Sequence, residues 1–129
     1  ENANLARAME LLDMLQLLKL KNDYAGDLSG GQKKLLSLGR VFMLKPDMIL
    51  LDEPTAGVNP TLRVQLMEAI QRLQKMEKST FFIIEHSMKV ISNICDRVYV
   101  LNFGQKIAEG TPQEIQQNEQ VLEAYLSGA

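Results

Sequence analysis

Four consecutive apolar residues, Met48-Ile49-Leu50-Leu51, run directly into two carboxylates, Asp52 and Glu53. Lys45-Pro46-Asp47 breaks the chain before the run, and Glu53-Pro54-Thr55-Ala56-Gly57 turns it afterwards. A short, wholly apolar run bounded in this way reads as a strand buried on both faces of a parallel sheet. Parallel strands cannot be joined by a tight turn, so the run predicts helices on either side of it. Upstream, residues 29–43 carry Leu35, Leu38 and Phe42 on one helical face. Downstream, Asn59 reads as an N-cap with Pro60 at the first helical position, and Leu62, Leu66, Ala69, Ile70 and Leu73 stripe the helix that follows. Residues 80–84, β-branched and aromatic, predict a second buried strand. Strand, helix, strand, helix, strand gives an α/β fold of parallel strands with right-handed crossover helices.

The flanks read as follows. Leu5, Ala8, Met9, Leu12 and Leu15 predict a helix over 4–19, ahead of a polar loop at 21–27. Ser87 is placed to cap a short helix ending at Ile94. Residues 97–110 predict two strands turning around Gly104, a C-terminal hairpin. Thr111-Pro112-Gln113-Glu114 is a capping box with Pro in the first turn, opening a helical tail that ends near Leu126. Lys33 and Lys34 read as a solvated helix face, and Tyr125 with Leu122 and Leu126 as tail packing.

The net charge of −2 over 129 residues carries no nucleic-acid footprint. Apolar runs are too short to span a bilayer, so a membrane role must come through a partner. The N-terminal stretch lacks the basic region of a signal peptide. Cys95, the single cysteine, rules out an internal disulfide and reads as a buried bystander in a cytosolic setting. Position 1 is Glu, which suggests an excerpt of a longer chain.

Three places could carry chemistry. In Leu28-Ser29-Gly30-Gly31-Gln32, Ser29 and Gln32 fit a capping box, which leaves the two glycines unexplained. Glycines there bare the first helical amides, so a phosphate or another backbone can come close. The alternative is a plain capped helix start. Asp52 and Glu53 leave the C-terminal end of a strand, where open α/β sheets bind ligands. Side chains alternate along a strand, so the two acids should differ in role. One can face a hydrated Mg²⁺ and the other can orient an attacking water. The alternative is a solvated turn. His86, the only histidine, follows the second strand and should leave the sheet at the same edge, where an imidazole could hydrogen-bond a terminal phosphate. The alternative is a structural histidine.

The order of these features resembles the C-terminal half of an ABC-type ATPase domain, over essentially the whole chain. LSGGQ matches the family signature, MILLDE its Walker B strand, Ala56-Gly57-Val58-Asn59 its D-loop, and His86 its switch histidine. The resemblance implies a helical subdomain part with the signature at 1–45, an ATPase core part at 46–110 and a helical tail at 111–129. It implies that Asp52 holds Mg²⁺ mostly through water, Glu53 positions the attacking water and His86 contacts the γ-phosphate of ATP. Ser29, Gly30, Gly31 and Gln32 would cap the ATP of a second ATPase subunit in a head-to-tail dimer. TAGVNP, the stretch from Glu85 to Ile115 and VLEAYLSG look like the ATP-binding subunits of branched-chain amino acid importers. Lipopolysaccharide-export and urea-import ATPases are similar, and non-transport ABC ATPases and a non-catalytic interaction module are the other readings. The family's D-loop usually ends in Asp, where Asn59 stands here and keeps the shape without the charge.

No G-x-x-x-x-G-K-[ST] phosphate loop occurs, and residues 1–27 offer no context for a Q-loop. The resemblance therefore implies a missing N-terminal P-loop half, transmembrane permease subunits as partners, and a place on the cytoplasmic side of the membrane. The chain alone is expected to be inactive, and to expose an apolar edge at MILL that invites dimerisation or strand exchange.

Overall fold

The computed structural model describes residues 2–127, so Gly128 of the VLEAYLSG stretch and the Leu126 side chain lie outside the description. Two compact units divide the chain, Glu1–Ile84 and Glu85–Ala129. In the first, α1 (Asn2–Met14), α2 (Gly30–Phe42), β1 (Met48–Asp52), α3 (Pro60–Glu77) and β2 (Thr80–Ile84) follow in order, with short 3₁₀ turns at Leu18–Leu20 and Ala25–Asp27. β1 and β2 pair in parallel from Met48 opposite Thr80 to Asp52 opposite Ile84, with α3 as the crossover between them. Asn59 caps α3 by accepting from the Leu62 amide at 2.9 Å, with Pro60 in the first turn.

The core of this unit gathers Leu11, Leu15, Leu17, Leu35, Leu38, Phe42, Ile49, Leu66, Ala69, Ile70 and Leu73, all buried. Phe42 stacks on Phe81 with ring centroids 5.8 Å apart. Arg7, in the middle of α1, joins two helix ends: its Nη2 donates to the Phe42 carbonyl at 2.7 Å and to Glu77 Oε1 at 2.9 Å. A cation beside the last carbonyls of α2 also complements that end of the helix dipole. Gly31 lets α2 approach α3, because a Cβ there would sit 2.3 Å from Leu62 Cδ1, while Gly30 faces open space.

Several expectations need correction. The first helix stops at Met14 rather than Lys19. Gln16 takes a left-handed φ of 59°, the Leu17 amide donates to Leu12 O and the Gln16 amide to Asp13 O. This is the Schellman pattern of a helix C-terminus, and it turns Leu17 into the core. The expected burial of β1 on both faces is not met. Ile49 is 4% exposed, but Met48 and Leu50 are 57% and 71% exposed, and on β2 Phe82, opposite Leu50, and Ile84 are 55% and 54% exposed. One side of the two-stranded sheet is packed and the other is an open apolar face.

The second unit holds α4 (Met88–Ile94), β3 (Val98–Asn102), β4 (Gln105–Gly110), α5 (Pro112–Gln116) and α6 (Glu119–Ser127). β3 does not extend the parallel sheet; it pairs antiparallel with β4 alone among the described strands. Phe103 and Gly104 both take positive φ, 46° and 77°, as a two-residue hairpin turn of type I′ requires. Ser87 occupies the N-cap position of α4 but its side chain makes no capping bond. The Thr111–Glu114 capping box forms, with the Glu114 carboxylate accepting from the Thr111 amide at 2.7 Å. The tail is two helices, not one, because Asn118 restarts it by accepting from the Val121 amide at 3.2 Å. Val98, Ile115 and Val121 form the core of this unit, with Ile91, Cys95 and Ile107 against it.

Gly31→Ala is expected to destabilise the chain by about 1–3 kcal/mol through overpacking against Leu62, with partial recovery in Gly31→Ala/Leu62→Ala. Gly30→Ala is expected to leave stability unchanged or raise it by up to about 1 kcal/mol; urea unfolding of the three variants checks this. Hydrogen bonds from Lys106 and Arg97 pull the Glu109 carboxyl down to about 2. Glu109 holds its proton less tightly in the folded chain than in the unfolded one. The contribution of its ion pairs to stability is therefore present at neutral pH, and is lost as pH falls from about 4.5 toward about 2. Carboxyl NMR should show Glu109 titrating well below the usual glutamate range, and Glu109→Gln should remove that signal and flatten the acid limb of the stability curve.

Candidate functional site

The parallel ladder ends with Asp52 opposite Ile84, and the Glu53 amide extends it by one bond, donating to the Ile84 carbonyl at 2.9 Å. Asp52 and Glu53 are both exposed at this C-terminal end. Glu53 has left the strand: its φ of 44° is left-handed, a conformation that costs a residue with a Cβ about 1–2 kcal/mol. Strand alternation therefore stops at Asp52 and does not govern Glu53.

The loop that follows is held by its carbonyls. The Ala56 amide donates to Glu53 O at 3.1 Å and the Val58 amide to Thr55 O at 3.3 Å. The intervening carbonyls, of Pro54 and Ala56, both accept from Lys34 Nζ on α2, at 3.2 and 2.5 Å. Thr55 and Val58 are buried and anchor the loop, while Ala56, Gly57 and Asn59 are exposed. Gly57 supplies a φ of 67° in open space. Lys34 is thus not the solvated residue expected from sequence. Lys34 stands three residues after Gly31 and four before Leu38, on a face that packs inward, and that spacing was the available signal. Lys33 is also engaged, donating to the Gly26 carbonyl at 2.8 Å.

At the start of α2 the capping box forms in full: Ser29 Oγ accepts from the Gln32 amide at 3.3 Å, and Gln32 Oε1 accepts from the Ser29 amide at 2.9 Å. The two glycines divide in role. Gly31 serves internal packing, and Gly30 stands clear of neighbours. Gly31 and Lys34 together join the start of α2 to α3 and to the loop after Glu53.

His86 lies two residues beyond β2 in the chain and belongs to the second unit, where its backbone carbonyl accepts from the Tyr125 hydroxyl. Tyr125 therefore makes a polar contact beyond the tail packing expected of it. Burial first, then Asp96 and Glu85, pushes the Cys95 thiol up, away from nucleophilic use. Among the described residues no three His, Cys, Asp or Glu side chains converge as a metal cage. The exposed carboxylate of Asp52 is a hard oxygen donor and fits a single ligand position on a Mg²⁺ that keeps its other positions for water and phosphate. No described helix is long and apolar enough to cross a membrane.

Residues 1–56 match the family profile "ABC transporter", and residues 105–126 match "Branched-chain amino acid ATP-binding cassette transporter". The high-affinity branched-chain amino acid transport ATP-binding protein LivG of Salmonella typhimurium is 40% identical over 125 residues, covering 97% of this chain and 49% of that protein. BraF of Pseudomonas aeruginosa, of the same description, is 38% identical over 95% of this chain and 48% of its own length. The chain thus spans about half the length of the curated relatives it matches. An ABC transporter's ATP-binding cassette in its ADP conformation superposes with a TM-score of 0.81 at 36% identity, over 98% of this chain and 51% of that one. The Clostridium perfringens cbiO1 protein, part of the cbiONQ ABC transporter complex, superposes with a TM-score of 0.79 at 28% identity, over 96% and 53%. Over nearly its whole length the chain is similar to the C-terminal half of ABC transporter ATP-binding subunits, among them those of branched-chain amino acid transporters.

Proposed function

We propose that this chain supplies the signature and carboxylate half of an ATP-hydrolysing subunit that powers an ABC transporter. The observation that carries the reading is the exposed pair Asp52 and Glu53 at the C-terminal end of a parallel strand, on a loop tied to the helix that Ser29 caps. In this reading Asp52 holds Mg²⁺ mostly through water, Glu53 orients the attacking water, and His86 hydrogen-bonds the γ-phosphate. Ser29, Gly30, Gly31 and Gln32 cap the nucleotide of a second subunit facing head to tail, and Ala56 to Asn59 form the D-loop between the sites. Residues 1–45, 46–110 and 111–129 then divide as signature part, core part and tail.

Branched-chain amino acid import is the proposed task, supported by the branched-chain amino acid transport named for LivG and BraF and by the match over residues 105–126. Permease subunits would hold the protein on the cytoplasmic face of the membrane. The phosphate cradle that most of phosphoryl transfer depends on is absent from this sequence, so the chain by itself is proposed to turn over no ATP.

The test is Mg·ATP hydrolysis by the chain alone and with a separately produced P-loop-bearing half. Turnover is expected only in the mixture, falling about 100-fold or more with Glu53→Gln. Turnover by the chain alone that depends on Glu53, or turnover in the mixture indifferent to Glu53→Gln, would overturn the reading.

A further inference from the structure

We propose that Lys34 is a positioning residue for Glu53, clasping the start of α2 to the carboxylate loop so that displacement of the signature residues is felt at the hydrolytic group of the same subunit. This rests on the reading of Glu53 given above. The case begins with the loop's polar groups. Four successive carbonyls, of residues 53 to 56, need donors. Two are met inside the loop, by the Ala56 and Val58 amides. The other two, of Pro54 and Ala56, are met by one ammonium group. A lysine suits this geometry because its compact head carries three donors that can serve separate acceptors.

The loop has reason to need an external clasp. It starts at left-handed Glu53 and passes through left-handed Gly57, two backbone states that ordinary residues avoid. Such states persist where their surroundings hold them. The buried side chains of Thr55 and Val58 fix the inner side of the loop, and Lys34 fixes its carbonyl side. Lys34 lies only two residues beyond Gln32, within the second turn of the helix that Ser29 caps. Helices are stiff over such distances, so a shift of Ser29 to Gln32 moves the ammonium group with it. Lys33, next door, reaches back to Gly26 instead, and serves as an internal control.

Two measurements separate the clasp from the reading beneath it. The first is amide hydrogen exchange at Ala56 and Val58 in this chain, with urea unfolding to report global stability. Lys34→Met is expected to speed exchange at both amides about tenfold or more, with Lys34→Arg restoring protection and Lys33→Met leaving it unchanged. Lys34→Gln, a shorter neutral donor, gives a milder second variant should Lys34→Met unfold, and is expected to speed exchange at the same amides. Unchanged exchange in both neutral variants overturns the proposal. The second is Mg·ATP turnover with the P-loop-bearing half. Lys34→Met should lower kcat about tenfold while KM moves less than about twofold, and Lys34→Arg should recover most of it. Normal kcat in Lys34→Met beside an inactive Glu53→Gln overturns the proposal and leaves the ATPase reading in place. Turnover indifferent to Glu53→Gln instead overturns the ATPase reading, and with it the positioning role.

Discussion

The five-rung parallel ladder between Met48–Asp52 and Thr80–Ile84 is the constraint on which the first unit depends. A parallel pair forces the chain to travel back before it can pair, and α3 is that return. The helix repays the detour by burying Leu66, Ala69, Ile70 and Leu73. The ladder is clamped at its beginning, where the Thr80 amide donates to Asp47 O at 2.8 Å and Ser79 Oγ to Pro46 O at 2.6 Å. At its end the Glu53 amide closes on Ile84. Register is therefore fixed at both ends, and with it the point at which two carboxylates emerge. A slip of one residue would bring Leu50 into the packed side and expel Ile49, which the core cannot accommodate.

Local signals explain which parts of this were legible beforehand. The span of α2 could be read because Ser29 and Gln32 announce its start and Leu35, Leu38 and Phe42 keep helical spacing. Both strands of the ladder could be read because their composition is apolar, β-branched or aromatic between clear breakers. The end of α1 could not. Leu12, Leu15 and Leu17 continue an apolar pattern, and the left-handed residue that stops the helix is Gln16, which carries none of the signal a glycine would. The hairpin of residues 97–110 could be read from its turn at Gly104, but not that β3 pairs with β4 alone among the described strands, because a hairpin arm and a sheet strand have the same composition. The open face at Leu50 and Phe82 was illegible for a similar reason, since an apolar run says what a side chain prefers and not what covers it.

The candidate site divides along the same line. Ser29, Asp52 and Glu53 stand out as residue types at telling positions. Lys34 does not, because its acceptors are backbone carbonyls, and carbonyls have no letter in a sequence. Gly31 could be recognised as a place where something comes close, but not that the something is Leu62 of the next helix. The glycine pair is thus a shared device. Gly31 admits the protein's own packing, and Gly30 stays clear of neighbours just beside it.

The uncovered face of the β1–β2 sheet also sets how the chain behaves as a solute. Met48, Leu50, Phe82 and Ile84 lie together on it, and a net charge of −2 supplies little repulsion between copies. Adhesion through such a face draws its strength from water, so it weakens on cooling and strengthens in sulfate or phosphate. Cold, dilute buffers of low-salting anions therefore favour separate copies of the chain, and warmth or salting-out anions favour adhesion through this face.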